Sequence, residues 1–199
     1  MLILSFDVSV TGCAVGLLNT NTDDFKQERL ETDRGQAEIL IPMIADIVKA
    51  SQTLMKDIDA IAVTRGPGSF TGVRIGLATA RSLGLALNIP VYGFSTLDVL
   101  AKFDGSKSLY LIDTKRGDFY GQVGIGSTPQ IWDKEKIADY QGMIIKDDLP
   151  DILTLSKMAE EIYAGEQEYD IAKAPSPLYL REAEVSVAKR KPQMTIDSL

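Results

Sequence analysis

Asp7 and Asp113 each close a short apolar run, Leu2-Ile3-Leu4-Ser5-Phe6 before the first and Leu109-Tyr110-Leu111-Ile112 before the second. Two carboxylates at the ends of two equivalent strands can face each other across a cleft and orient magnesium and nucleotide phosphates. That chemistry needs glycine-rich turns after the carboxylates, so that backbone can wrap the phosphates. The turns here, Val8-Ser9-Val10-Thr11-Gly12 and Thr114-Lys115-Arg116-Gly117, carry a single late glycine each. The plain alternative is that both aspartates only organise hairpin turns.

The other chemically suggestive stretch is Thr64-Arg65-Gly66-Pro67-Gly68-Ser69-Phe70-Thr71-Gly72-Val73-Arg74-Ile75-Gly76. It follows an apolar strand and opens a helix, the geometry in which free amides and the helix dipole bind an anion. It lacks the lysine of a Walker-type loop, and its glycine spacing is not the dinucleotide pattern. Ser69 and Thr71 have no histidine to activate them, so helix capping is their expected work. Arg65 and Arg74 suit either an anion or a surface salt bridge. Gly72, Gly76, Ala80 and Gly84 recur every four residues, which shapes one helical face for close packing.

Composition narrows the chemistry further. The 199 residues include no histidine, so histidine-based acid–base catalysis, Ser-His-Asp triads and histidine-liganded metals are absent from this chain. No metal site is expected. A net charge of −7 argues against a primary nucleic-acid surface. Cys13 is the single cysteine and forms no internal disulfide. The strand-like N-terminus has no basic leader, and Arg74 and Arg81 interrupt the most apolar helical window. A cytoplasmic protein with no membrane segment is expected.

The elements that position these residues follow from periodicity and turn signals. Strands are predicted at Leu2–Asp7, Gly12–Leu18 and Phe25–Leu30, a helix from about Gln36 to Ala50, and a strand at Ala60–Thr64. A second helix covers Thr71–Asn88, then a strand Pro90–Phe94 and a short helix capped by Ser95 or Thr96 and running through Phe103. That order predicts an α/β, ribonuclease-H-like lobe over residues 1–103. After Asp104-Gly105-Ser106 the pattern restarts, with strands at Leu109–Asp113 and Asp118–Gly124, a strand at Gly142–Ile145 and a helix at Leu155–Ala164. Residues 104–199 thus form a shortened second lobe with a polar, basic tail from about Ala188. Trp132 is expected to pack between the lobes.

Ile39, Leu40, Ile41, Met43, Ile44, Ile47 and Val48 cover most of the first long helix. A surface helix has one apolar stripe, so this one is expected to bury a second face against another molecule. With the small-residue ladder of the second helix it defines an expected interface of Leu40, Met43, Ile44, Ile47, Gly72, Arg74, Gly76 and Ala80. A homodimer through this surface is expected when no partner is present.

The central glycine stretch from Arg65 to Gly76 resembles the signature of the TsaB (YeaZ) family. Leu2–Asp7, Leu40-Ile41-Pro42-Met43-Ile44, Gly93-Phe94-Ser95-Thr96-Leu97, Asp113–Tyr120 and Tyr179-Leu180-Arg181 are similar to its other landmarks, in order. The resemblance implies an actin/Hsp70/sugar-kinase fold of two ribonuclease-H-like lobes. It implies a non-catalytic role in making tRNA N6-threonylcarbamoyladenosine, docked through the first two helices on a catalytic TsaD-like paralogue, with a TsaE-like ATPase. On that reading tRNA is met only through the complex, and Asp7, Ser9 and Asp113 are a vestigial nucleotide site. ATP or ADP with magnesium is a candidate occupant of the subunit junction, with no ligands assigned. Gln36 stands where family members commonly have histidine. The competing readings are a small ATPase or kinase using Asp7 and Asp113, and a glycoprotease-like peptidase, for which no nucleophile–base pair exists.

Overall fold

A computed structural model describes residues 1–102, 107–146, 148–165 and 174–181. The first sheet contains β1 (Leu2–Asp7), β2 (Cys13–Asn19), β3 (Asp24–Leu30), β4 (Ala60–Thr64) and β5 (Val91–Phe94), in the order β3-β2-β1-β4-β5. β1 pairs antiparallel with β2 and parallel with β4, and β4 pairs parallel with β5. This is the ribonuclease-H-like arrangement of the actin and sugar-kinase fold.

Alternation along β1 decides what covers each face. Leu4 and Phe6 point into a core with α1 (Gln36–Ala50) and α2 (Phe70–Leu87). Ile3 points the other way, into a core with Ile152, Leu155, Met158 and Ala159 of α5 (Ile152–Tyr163). With both faces covered, the central strands carry almost no polar residues. Helix α5 was expected with the second lobe, yet it packs on β1, β2 and β4. Gly16 makes room for it, since a Cβ there would stand 2.7 Å from the Ile152 side chain. The Ser156 hydroxyl donates to Ser5 Oγ at 2.8 Å and pins the helix to β1.

The second sheet has the order β8-β7-β6-β9, from β6 (Leu109–Asp113), β7 (Phe119–Val123), β8 (Gln130–Trp132) and β9 (Ile144–Lys146). The short helix α3 (Thr96–Ala101) joins the two halves, with Leu97 and Ala101 packed on Tyr110 and Ile112. β8 and the one-turn helix α4 (Lys134–Ala138) were not anticipated. Trp132 lies edge-on to Tyr140 and over Gly121 of the same sheet, rather than between the lobes. The expected linker at 104–106 and the tail from Ala188 lie outside the described residues.

Candidate functional site

The end of β1 is the place where the fold can hold a magnesium-orienting carboxylate, and Asp7 occupies it. Its Oδ1 accepts hydrogen bonds from the Ser9 amide at 2.9 Å, the Ser9 hydroxyl at 2.5 Å and the Thr64 hydroxyl at 2.5 Å. Thr96 donates to Ser9 Oγ at 3.0 Å and extends the network to α3. The residue is 1% exposed, and its Oδ2 is buried with no hydrogen-bond partner among the described residues. Asp7 therefore ties β1, β4 and α3 together, one acceptor fixing three donors. Sequence reasoning singled out Asp7 and Ser9 but missed Thr64 and Thr96; the signal was a threonine at the end of a parallel neighbour strand and another at a helix start.

The glycine turn leans directly on this loop. The Ser69 amide donates to the Ser9 carbonyl oxygen at 2.6 Å. A Cβ on Gly68 would stand 2.0 Å from that oxygen, and a Cβ on Gly72 would stand 1.9 Å from the Val8 carbonyl oxygen. Ser69 caps α2, its side chain accepting from the Gly72 amide at 3.2 Å. At the helix start two of the groups that an anion would use are thus spent inside the chain, one on a carbonyl and one on a cap. The glycines are there for backbone-to-backbone approach.

The small-residue ladder continues in the same direction. Gly76 faces Val63 and Val8, and a Cβ on Gly84 would meet the Val91 side chain at 2.3 Å. Ala80 is fully buried. Leu40, Met43, Ile44 and Ile47 of α1 are likewise buried in the core beneath the first sheet. Of the eight residues expected at an interface, only Arg74 is exposed. The ladder brings the helix close to its own sheet rather than to another molecule. What α1 and α2 present outward is a different apolar set: Ile41, 51% exposed, with Pro42 and Ala45, and Leu85, 72% exposed, with Ala78.

A cleft of about 780 Å³ lies between the two sheets. Ser9, Gly68, Ser69 and Arg74 line one side and Asp113, Lys115 and Arg116 the other, while Asp7 does not reach it. Asp113 Oδ1 accepts from the Lys115 amide at 2.7 Å and its Oδ2 lies 3.5 Å from Lys115 Nζ, so it organises its own turn. Asp7 and Asp113 therefore do not share an open site. Among the described residues no cluster of three candidate metal-ligand side chains exists. These residues do not fit a magnesium-bound nucleotide: the first carboxylate is sealed in and the second is spent on its turn. Gln36 lines the far end of the cleft, its side-chain amide donating to the Thr32 carbonyl oxygen at 3.3 Å.

Beside this network Cys13 is fully buried, its thiol facing the Gln36 carbonyl oxygen at 3.6 Å. Burial first, and then the charge of Asp7, push the thiol up to about 11. It is protonated at neutral pH and no nucleophile.

Comparison with known proteins adds a family model, two relatives and one solved structure. The family model described as TsaD, tRNA N6-adenosine threonylcarbamoyltransferase, matches residues 30–173. The tRNA threonylcarbamoyladenosine biosynthesis protein TsaB of Escherichia coli is 38% identical over 125 residues, 60% of this chain and 53% of that protein. Its counterpart in Buchnera aphidicola subsp. Baizongia pistaciae is 32% identical over 168 residues, 84% of this chain and 72% of that protein. The chain spans about half the length of the E. coli relative. A crystal structure of a Pseudomonas aeruginosa protein with similarity to the peptidase YeaZ superposes with a TM-score of 0.78, covering 90% of this chain and 99% of that one at 23% identity.

Proposed function

The chain belongs to the TsaB family, and from that premise we propose that it is a non-catalytic subunit that binds and activates a TsaD-like transferase in forming threonylcarbamoyladenosine in tRNA. The observation that carries this reading is the closed end of β1. A working site for a magnesium-bound nucleotide needs an accessible carboxylate for the metal and free amides for the phosphates, and here Asp7 is sealed by Ser9 and Thr64 while the Ser69 amide is spent on Ser9. A chain without histidine has no substitute general base of that kind. An ATPase or kinase reading through Asp7 and Asp113 has no support in this geometry.

Docking falls to the outward faces of α1 and α2, where Ile41, Pro42, Ala45, Ala78 and Leu85 expose apolar surface beside Arg74. The same surface would pair two copies of the chain when no partner is present. tRNA is met through the partner, as a net charge of −7 favours. A TsaE-like ATPase completes the assembly, and any ATP or ADP with magnesium belongs at a subunit junction. Its place is the cytoplasm, and its two lobes divide near residue 103, with the chain returning to the first lobe at α5. Among the described residues no helix is long and apolar enough to cross a membrane. The test is reconstitution: tRNA modification by the TsaD-like enzyme should require this chain, and the chain alone should hydrolyse no ATP. Magnesium-dependent turnover by the chain alone would overturn the reading.

A further inference from the structure

The segment Pro175–Arg181 packs outside both sheets yet touches each of them. On the side of the first sheet it has four anchors. Arg81 donates from Nε to the Pro175 carbonyl oxygen at 2.9 Å, and the Leu178 amide donates to the Arg65 carbonyl oxygen at 2.7 Å. Arg74 Nε donates to the Tyr179 hydroxyl at 2.9 Å, and the Tyr179 ring sits 5.6 Å from that of Phe70. The Arg74 guanidinium lies 3.7 Å above the Phe70 ring, which closes a cation–aromatic cluster. On the side of the second sheet Arg181 forms an ion pair with Asp118, beside the β6–β7 turn, and Thr114 donates to the same carboxylate.

The first sheet is built to receive this segment. Gly93 interrupts β5, and a Cβ there would stand 2.2 Å from Pro175 Cβ. A Cβ on Gly66 would stand 3.2 Å from the Leu178 carbonyl oxygen. A glycine inside a strand marks such a close approach. The ion pair at the other end is not a solvated surface contact, since its side chains are only 25% and 23% exposed. The hydrogen bond from Thr114, then the charge of Arg181, hold the Asp118 carboxyl below its ordinary value, so the latch is charged at neutral pH. Leu178, Tyr179, Leu180 and Arg181 also line the interlobe cleft, so the segment forms a wall of it.

We infer that Pro175–Arg181 is a strap that holds the two sheets at a fixed opening, with Arg181–Asp118 as its latch and the joints at α3 and before α5 as its hinge. The two sheets are joined at α3 and again where the chain leaves β9 and returns to the first sheet as α5, and a further connection across the cleft limits rocking about those joints. Releasing either end opens the cleft without unfolding either sheet.

The strap can be tested on the full chain by spin labels on cysteines introduced as Ala78→Cys in α2 and Glu135→Cys in α4, both exposed positions. Cys13 is buried and stays unlabelled. The otherwise native chain should give one narrow interlabel distance. Asp118→Asn and Arg181→Gln should each add a population longer by several ångströms, and the exchanged pair Asp118→Arg with Arg181→Asp should restore the single one. Tyr179→Ala, which removes two of the four anchors at the other end at an exposed residue, should also add a longer population. A distribution unchanged in Asp118→Asn and Tyr179→Ala, or a charge exchange that restores nothing, overturns the strap.

Discussion

The amide of Ser69 and the carbonyl oxygen of Ser9 meet at 2.6 Å, joining the turn that opens α2 to the turn that follows β1. Each turn serves as the other's partner, so the Ser69 amide and the Ser9 carbonyl oxygen are taken up within the chain. Gly68 and Gly72 are the residues that let the two backbones come together.

Substituting Gly72 should therefore cost stability rather than binding. Gly72→Ala places a methyl 1.9 Å from the Val8 carbonyl oxygen, so one backbone must move. The expected loss is about 1–3 kcal/mol, the range for overpacking a close contact. Gly126→Ala is the comparison: its φ of 74° strains an alanine, but nothing lies within 4 Å of the added atom, and it should cost about 1 kcal/mol. Urea unfolding of both variants measures the difference, which should favour Gly126→Ala.

Cys13 gives a pH signature. Its thiol is pushed up from 9.0 to about 11 in the folded chain. Between those values the unfolded chain has released a proton that the folded chain keeps. Stability from this group is whole below the lower value and falls as pH rises through the window, by about 1.4 kcal/mol per pH unit. Urea midpoints at pH values on either side of that window should show the fall, and Cys13→Ala should flatten that part of the profile. A thiol reagent at neutral pH should react only with the unfolded chain.

Much of this was legible in the sequence. Gln36–Ala50, Ala60–Thr64 and Leu109–Asp113 fall where periodicity and turn residues set them, because each is a strong apolar pattern with clear boundaries. β8 and α4 were not legible: at three and five residues they are too short to show a period. The ladder Gly72, Gly76, Ala80, Gly84 was readable as a close-packing face, but a helix does not state what approaches it. Val8, Val63 and Val91 of the chain itself fill that role, and the approach needs tertiary structure to be seen. The place of α5 on the first sheet, and the strap from Pro175, rest on pairings far apart in sequence, such as Ser156 with Ser5 and Tyr179 with Arg74.

Docking should respond to the outward residues of α1 and α2, not to the buried ones first suspected. Ile41→Glu and Leu85→Glu replace exposed apolar side chains, 51% and 72% accessible, and should leave the melting temperature within a few degrees of the original. Each should weaken association with a TsaD-like partner at least ~10-fold, the loss of ~1.4 kcal/mol expected when a charge enters an apolar contact. Titration calorimetry with the purified partner reads both affinity and stoichiometry.

The most direct test of the central claim is tRNA modification in a reconstituted system, comparing carboxylate variants with an interface variant. Asp7→Asn keeps an oxygen acceptor for Ser9 and Thr64, and Asp113→Asn keeps one for the Lys115 amide. If this chain is a scaffold, both should support modification within about twofold of the original, while Leu85→Glu lowers it in step with its weaker binding. A folded Asp7→Asn or Asp113→Asn chain that still binds the partner but loses activity by ~10-fold or more would make the carboxylates catalytic and contradict the account.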